Sequence, residues 1–244
     1  MFPEICHLGS FTIYSYGLML VLAFFACSYL SSLQARKEQM DGEQIFNLFF
    51  FIFISGVIGS RVFYVLMNIS FYLHNPLEII MLQHGGMAWF GGLIFGSAAA
   101  VLFIKRHKMN LLKTLDLVVP FIALGQAIGR IGCLLNGCCY GRESAFGLYF
   151  KVFDKTLIPT QLYSSLLLLL IFIILRFKQD RKHLPGEILC SYLFLYSLKR
   201  FFIEFLRNDS PRMFYGLTIF QVLSLIVFIV SLGIFIRLFV IKKK

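Results

Sequence analysis

Seven long apolar runs, separated by short polar or basic segments, dominate the pattern of this chain. They fall at roughly 11–32, 45–67, 87–104, 115–132, 161–175, 187–206 and 215–236. A membrane-crossing helix needs about 20 mostly apolar residues, and most of the runs are near that length. The pattern predicts an all-α, polytopic integral membrane protein with seven transmembrane helices, forming a single domain over residues 1–244. No Lys or Arg precedes Arg36, and the first run is longer than the apolar part of a cleavable signal peptide. It therefore reads as a true span.

Composition supports this reading. Residues A, V, I, L, M, F, W, Y and C make up 59% of the chain, and only 14% are charged, against about 25% in a soluble domain. So much apolar surface cannot be hidden inside a water-soluble globule of 244 residues. Soluble, disordered and disulfide-scaffold classes are excluded.

The net charge of +11 is spread in short clusters between the runs, which argues against a nucleic-acid partner. Arg36 and Lys37, then Lys105 to Lys113, then Arg176 to Lys182, then Arg237 with the three terminal lysines hold 14 of the 23 cations, in alternate loops. Cytoplasmic loops carry such an excess. The N-terminus is thus predicted outside and the C-terminus in the cytoplasm. The nine other cations are Arg61, Arg130, Arg142, Lys151, Lys155, Lys199, Arg200, Arg207 and Arg212. They fall in outer halves of spans or outer loops. Lys151, Lys155 and Arg212 suit the membrane surface, whereas apolar residues flank Arg130, Arg200 and Arg207. A cation at mid-bilayer costs at least about 2.5 kcal/mol on insertion scales, so it is kept where a cavity, a carboxylate or an anionic ligand faces it.

Candidate chemistry is grouped in five segments. Gly125–Gly141 holds five glycines, with Arg130 between Gly129 and Gly132 and Asn136 beyond. An arginine beside exposed backbone N–H groups suits a phosphate; the alternative is a small-residue packing face followed by a turn. In Lys199–Arg212, the residues Arg200, Glu204 and Arg207 share one helix face. They form either a polar cavity wall with Glu204 orienting both arginines, or a salt-bridged stripe. The stretch His84–Gly96 pairs glycines around Met87–Phe90, as an entry turn or a packing face. Tyr16-Gly17 and Ile158–Tyr163 are weaker. Cys133, Cys138 and Cys139 lack zinc-site spacing, so no metal is expected. They read as structural thiols, with a disulfide from Cys133 to either neighbour or a catalytic role as alternatives.

In this order, the five segments resemble the prolipoprotein diacylglyceryl transferase family across nearly the whole chain. The carriers are Tyr16-Gly17-Leu18-Met19, Gly85-Gly86-Met87 with Gly91–Gly96, Arg130-Ile131-Gly132 with Asn136-Gly137 and Tyr140-Gly141-Arg142, Pro159–Tyr163, and Arg200-Phe201 with Glu204-Phe205 and Arg207. Four positions depart from the family pattern: Cys133 replaces Asn, Cys138 replaces Glu, and Phe90 and Ile158 each replace His.

The resemblance implies an enzyme of the bacterial cytoplasmic (inner) membrane with its active site toward the outer face. It would move a diacylglyceryl group from phosphatidylglycerol to the lipobox cysteine thiol of a prolipoprotein signal peptide, releasing glycerol-1-phosphate. No cofactor is implied. Arg130 and Arg200 would act on the phosphate, with Tyr16 and His84 as further catalytic candidates. Asn136, Gly141, Arg142, Gln161, Tyr163, Glu204 and Arg207 would help bind substrate. The departures leave open a transferase with another acceptor, or a lipid transporter or scaffold. With Phe90 in a histidine position, the acceptor thiol must lose its proton otherwise. The candidates are ionisation assisted by Arg130 and Arg200, ranked first, then His84, then Glu204 or Tyr16.

Overall fold

A computed structural model describes residues 4–8, 11–81, 85–150, 153–207, 212–214 and 216–243. Three of the long helices end on cations. Helix α1 (Ser15–Lys37) closes on Arg36 and Lys37, α4 (Trp89–Arg106) on Lys105 and Arg106, and α6 (Thr160–Gln179) on Arg176 and Lys178. Cations there face the negative end of the helix dipole. The other helices are α2 (Gly42–Met67), a short α3 (Ile69–His74), α5 (Leu111–Asn136), α7 (Glu187–Leu206) and α8 (Ile219–Lys243). A 3-10 turn at Pro76–Ile79 follows α3.

Among the described residues, six helices are long and apolar enough to cross a membrane. Helix α7 matches them in length, at 20 residues, but carries Glu187, Lys199, Arg200 and Glu204. Phe25, Ile58, Leu102, Leu166 and Ile229 are more than half exposed, while Ser28, Gln161, Glu204 and Gln221 are buried. Apolar side chains outside and polar ones inside suit a lipid solvent.

The structure is mostly helical, and among the described residues three short antiparallel hairpins refine the all-α expectation: β1 (Glu4–Leu8) with β2 (Phe11–Tyr14), β3 (Glu143–Phe150) with β4 (Lys155–Leu157), and β5 (Arg212–Phe214) with β6 (Leu217–Thr218). The first apolar run thus begins as a strand, and its helix starts at Ser15. Phe-Thr-Ile-Tyr is rich in aromatic and β-branched residues, which fit a pleated ladder better than a helix turn.

The chain divides into two units, residues 28–114 and residues 1–27 with 115–244. In the first, α2 and α4 meet through glycines. A methyl at Gly59 would stand 2.3 Å from Phe95 Cβ, and one at Gly91 would stand 2.3 Å from the Gly59 carbonyl oxygen. The glycines at 91–92 therefore allow close helix packing, the plainer of their two readings. Arg61 is buried and faces backbone rather than a ligand. It donates to the carbonyls of Ile79 at 3.0 Å, Gly86 at 2.9 Å and Met81 at 3.2 Å, and also to those of Glu78 and Gly85. One planar fork thereby fixes both ends of the loop before α4.

The second unit is held by a core of Val119, Ala123, Ile171, Leu175, Ile188 and Tyr192. Polar side chains join its helices across the core. Pro120 cannot donate to the Asp116 carbonyl four residues back, and Gln179 Nε2 takes that acceptor at 3.4 Å. The Asp116 carboxylate accepts from Gly186 N at 2.6 Å and Leu189 N at 2.8 Å, which caps the start of α7. Ser165 donates to the Ala127 carbonyl at 2.9 Å, and Tyr192 donates to Gln126 Oε1 at 3.0 Å.

Candidate active site

The second unit assembles most of the predicted residues around the segment after α5. That helix ends at Asn136, where Gly137 turns with φ of 74° and Cys138 N returns to the Cys133 carbonyl at 3.1 Å. Cys139 follows in the left-handed region at φ of 63°, a conformation a non-glycine residue holds at a cost of order 1–3 kcal/mol. Two buried side chains at the start of α6 hold this strained pair. Gln161 Nε2 donates to the Cys138 carbonyl at 2.6 Å, and Thr160 Oγ1 donates to the Cys139 carbonyl at 2.7 Å. Gln161 thus positions the loop with its amide nitrogen, while its buried Oε1 has no partner among the described residues.

Gly141 and Arg142 tie the segment to both neighbouring helices. Gly141 N donates to the Ile158 carbonyl at 2.9 Å, Ile158 N to Arg142 at 3.0 Å, and Arg142 N to the Leu206 carbonyl at 3.0 Å. The exposed Arg142 guanidinium reaches the Phe205 carbonyl. A methyl on Gly141 would stand 2.6 Å from the Leu206 oxygen and 2.9 Å from both Ile158 and Thr160. This glycine is needed for close approach. Gly132 lies against α1, where a methyl would stand 3.0 Å from Met19 Cβ and 3.2 Å from Tyr16 Cδ2.

Cations gather around a single described carboxylate. Arg200 Nη2 is 3.0 Å from Glu204 Oε2, and Arg207 Nε is 4.0 Å from the same oxygen. Glu204 is fully buried, and its Oε1 accepts from Thr218 Oγ1 at 3.1 Å. Thr218 is held by Gln221, which accepts from Thr218 N at 2.9 Å. The Arg200 guanidinium lies over the Phe220 ring at 4.6 Å. Lys199, 6% exposed, places its ammonium 4.5 Å from the Tyr196 ring and within electrostatic reach of Arg130, Arg200 and Arg207. Four cations gathered about Lys199, with one carboxylate holding two of them, make a site that suits an anion.

Lys199, Thr218 and Gln221 were not singled out from the sequence. Lys199 was counted among the outer cations, and the packed chain buries it, whereas Lys155 is exposed and paired with Glu143. Thr218 and Gln221 lie in an ordinary apolar stretch and carry no spacing that marks them. Of the other predicted residues, Tyr16 is half-buried and within electrostatic reach of Arg130 and the three thiols. Asn136 is exposed at the end of α5, near the Cys138 thiol, and Tyr163 is exposed on α6. Phe90 belongs to the first unit. His84 and Lys151 lie outside the described residues.

All six cysteines are free thiols. Cys133, Cys138 and Cys139 nevertheless converge, their sulfur atoms all within 4.8 Å of one another, a grouping that spacing alone did not reveal. Hydrogen bonds from Cys133 and Cys138, and after them the charges of Arg207 and Arg130, hold the Cys139 thiol below the usual thiol range against the opposing effect of burial.

By class this is a mostly helical, multi-pass membrane protein in which cations of α5, α7 and the residue after α7 gather near one buried carboxylate. The comparisons specify which kind. The model of the family described as prolipoprotein diacylglyceryl transferase matches residues 3–237. The phosphatidylglycerol–prolipoprotein diacylglyceryl transferase of Clostridium kluyveri is 36% identical over 248 aligned positions, covering 98% of this chain and 97% of its own. Proteins of the same name from Clostridium tetani and Listeria innocua are 32% and 35% identical, covering 96% of this chain and 97% and 88% of their own. The chain belongs to the prolipoprotein diacylglyceryl transferase family, and it is a transferase.

Proposed function

We propose that this chain transfers diacylglyceryl from phosphatidylglycerol to the lipobox cysteine of a prolipoprotein. The observation that carries the reading is the grouping of Arg130, Arg200 and Arg207 about the buried Lys199, with Arg200 and Arg207 paired to the buried Glu204. In the reaction the acceptor sulfur attacks the glycerol carbon of the donor that bears the phosphate. A carbon–sulfur bond forms, the carbon–oxygen bond breaks, and its electron pair stays on the phosphate as glycerol-1-phosphate leaves. The donor phosphodiester carries one negative charge, and a second develops during the displacement. Preorganised cations in a low-dielectric site bind that transition state more strongly than the donor. Arg130 and Arg200 act on the phosphate. Glu204 keeps Arg200 in place, and Asn136 with the backbone of the glycine-rich turn supplies neutral donors.

In this reading α7 crosses the membrane as the seventh span, because its charges face protein rather than lipid. The N-terminus lies outside, the C-terminus in the cytoplasm and the site toward the outer face of the bacterial cytoplasmic membrane, where a translocated precursor arrives.

The test uses purified full-length protein, phosphatidylglycerol labelled in its diacylglyceryl part, and a lipobox peptide. The expected result is label on the cysteine peptide with one glycerol phosphate released per thioether, and none on a serine peptide. Glycerol phosphate release without peptide labelling would overturn the acceptor assignment. No release at all would overturn the donor assignment.

A further inference from the structure

The three converging thiols are not used by the reaction as described. Three sulfurs each at about 2.3 Å from one tetrahedral ion stand about 3.8 Å apart, and here they already lie within 4.8 Å of one another. Their backbone is fixed from outside: Gln161 and Thr160 hold the carbonyls of Cys138 and Cys139, and Cys139 keeps its left-handed backbone. All three side chains are half-buried, so the cluster is shielded but reachable. Thiolate sets of this kind select soft or borderline ions such as zinc. Three protein ligands leave one position open, the pattern of catalytic rather than structural zinc.

The reaction needs what such a site supplies. The acceptor must react as a thiolate, and a free thiol has a pKa near about 8.5. The one carboxylate described in the site, Glu204, is engaged by Arg200, Arg207 and Thr218. We propose that Cys133, Cys138 and Cys139 hold a divalent thiophilic ion of the zinc class, whose open fourth position takes the acceptor thiol as its thiolate. Ion binding releases the protons of the three protein thiols to solvent and forms three metal–sulfur bonds. The acceptor thiol then loses its proton to solvent as the fourth bond forms, since a coordinating thiol is deprotonated outright. When its sulfur attacks the donor carbon, the metal–sulfur bond breaks and the ion remains. Three thiolates and a divalent ion sum to one negative charge, and Arg130 and Arg207 lie within electrostatic reach of Cys139 to offset it. The same cations thus link the thiolate centre to the phosphate site. This inference rests on the transferase reading above.

The test separates the two. Full-length protein is reduced, stripped of metal with a chelator and titrated with cadmium, whose thiolate complexes absorb in the ultraviolet. One cadmium per chain is expected, with the intensity of three thiolates. Cys133→Ser, Cys138→Ser and Cys139→Ser should each weaken binding about 10-fold or more, and Cys190→Ser should leave it unchanged. A lipobox peptide should add the absorption of a fourth thiolate, and its serine version should not. Stripped enzyme should lose transfer, and one equivalent of zinc should restore it in wild type but not in Cys138→Ser. Absence of the band, or equal binding by the triple serine variant, would overturn the site. Full transfer by stripped protein would overturn the metal's role and leave the transferase reading intact. The three-thiolate signature with no transfer in any metal state would overturn the transferase reading alone.

Discussion

Glu204 holds Arg200 with one carboxylate oxygen, at 3.0 Å, and is itself held by Thr218 through the other, at 3.1 Å. The arginine is therefore positioned by a carboxylate that cannot turn away from it. Glu204→Gln keeps the shape and removes the charge. Breaking a buried pair by removing one partner costs about 3–5 kcal/mol, so the variant should melt lower in detergent and lose most of its transfer activity. Thr218→Val removes only the hydroxyl that holds Glu204. It should lower the turnover number more than it raises the KM for phosphatidylglycerol, because what is lost is the placement of Arg200 rather than the charge itself.

Arg130→Ala and Arg200→Ala should lower transfer by about 100-fold or more, the scale of removing one transition-state donor. Arg→Lys should not restore it, because an ammonium lacks the planar fork. Lys155→Ala should stay near wild type, since it and its partner Glu143 are exposed and solvent screens such a pair. Transfer rates at matched abundance decide this. Full activity in both alanine variants would remove the phosphate assignment.

Lys199→Met replaces a buried ammonium by an apolar chain of similar length. Burying a charge among like charges is unfavourable, so the variant should melt at or above wild type while transferring more slowly. Opposite movement of stability and activity marks a residue kept for function. A fall in both would make Lys199 structural.

Gly141→Ala and Gly129→Ala should behave differently although both glycines belong to one motif. A methyl at Gly141 meets three groups at 2.9 Å or less, whereas one at Gly129 meets nothing within 4 Å. The first should lose about 1–3 kcal/mol, as overpacking does. The second should be neutral or gain up to about 1 kcal/mol, because alanine favours helix over glycine. Thermal melts of the two purified variants provide the check.

Single cysteines introduced at Lys108 and Arg181 should be labelled by membrane-impermeant reagents only after the membrane is opened. One at Ala145, in the β3–β4 hairpin, should be labelled in intact cells. Protection of Ala145 would reverse the orientation and place the site on the cytoplasmic face.

The sequence by itself determined the helical membrane class and the approximate position of each long helix. A lipid solvent demands unbroken apolar runs of fixed length, and such runs are local and readable. It also marked Arg130, Arg200, Glu204 and Arg207, because charge inside an apolar run is costly enough to stand out. Tertiary structure decided the rest. Nothing local separates Arg61, whose fork serves backbone carbonyls, from Arg200, which joins a cation cluster. Lys199 lies in the same apolar run as Arg200, but that its ammonium is buried among other cations is a property of the packed chain. Thr218 and Gln221 gain their roles by standing opposite Glu204. The three thiols lie five and one residues apart along the chain, a spacing with no metal pattern. Their sulfurs converge only because Gly137 and Cys139 turn left-handed and side chains from α6 hold the turn closed. Such convergence depends on distances between segments, which a linear pattern does not contain.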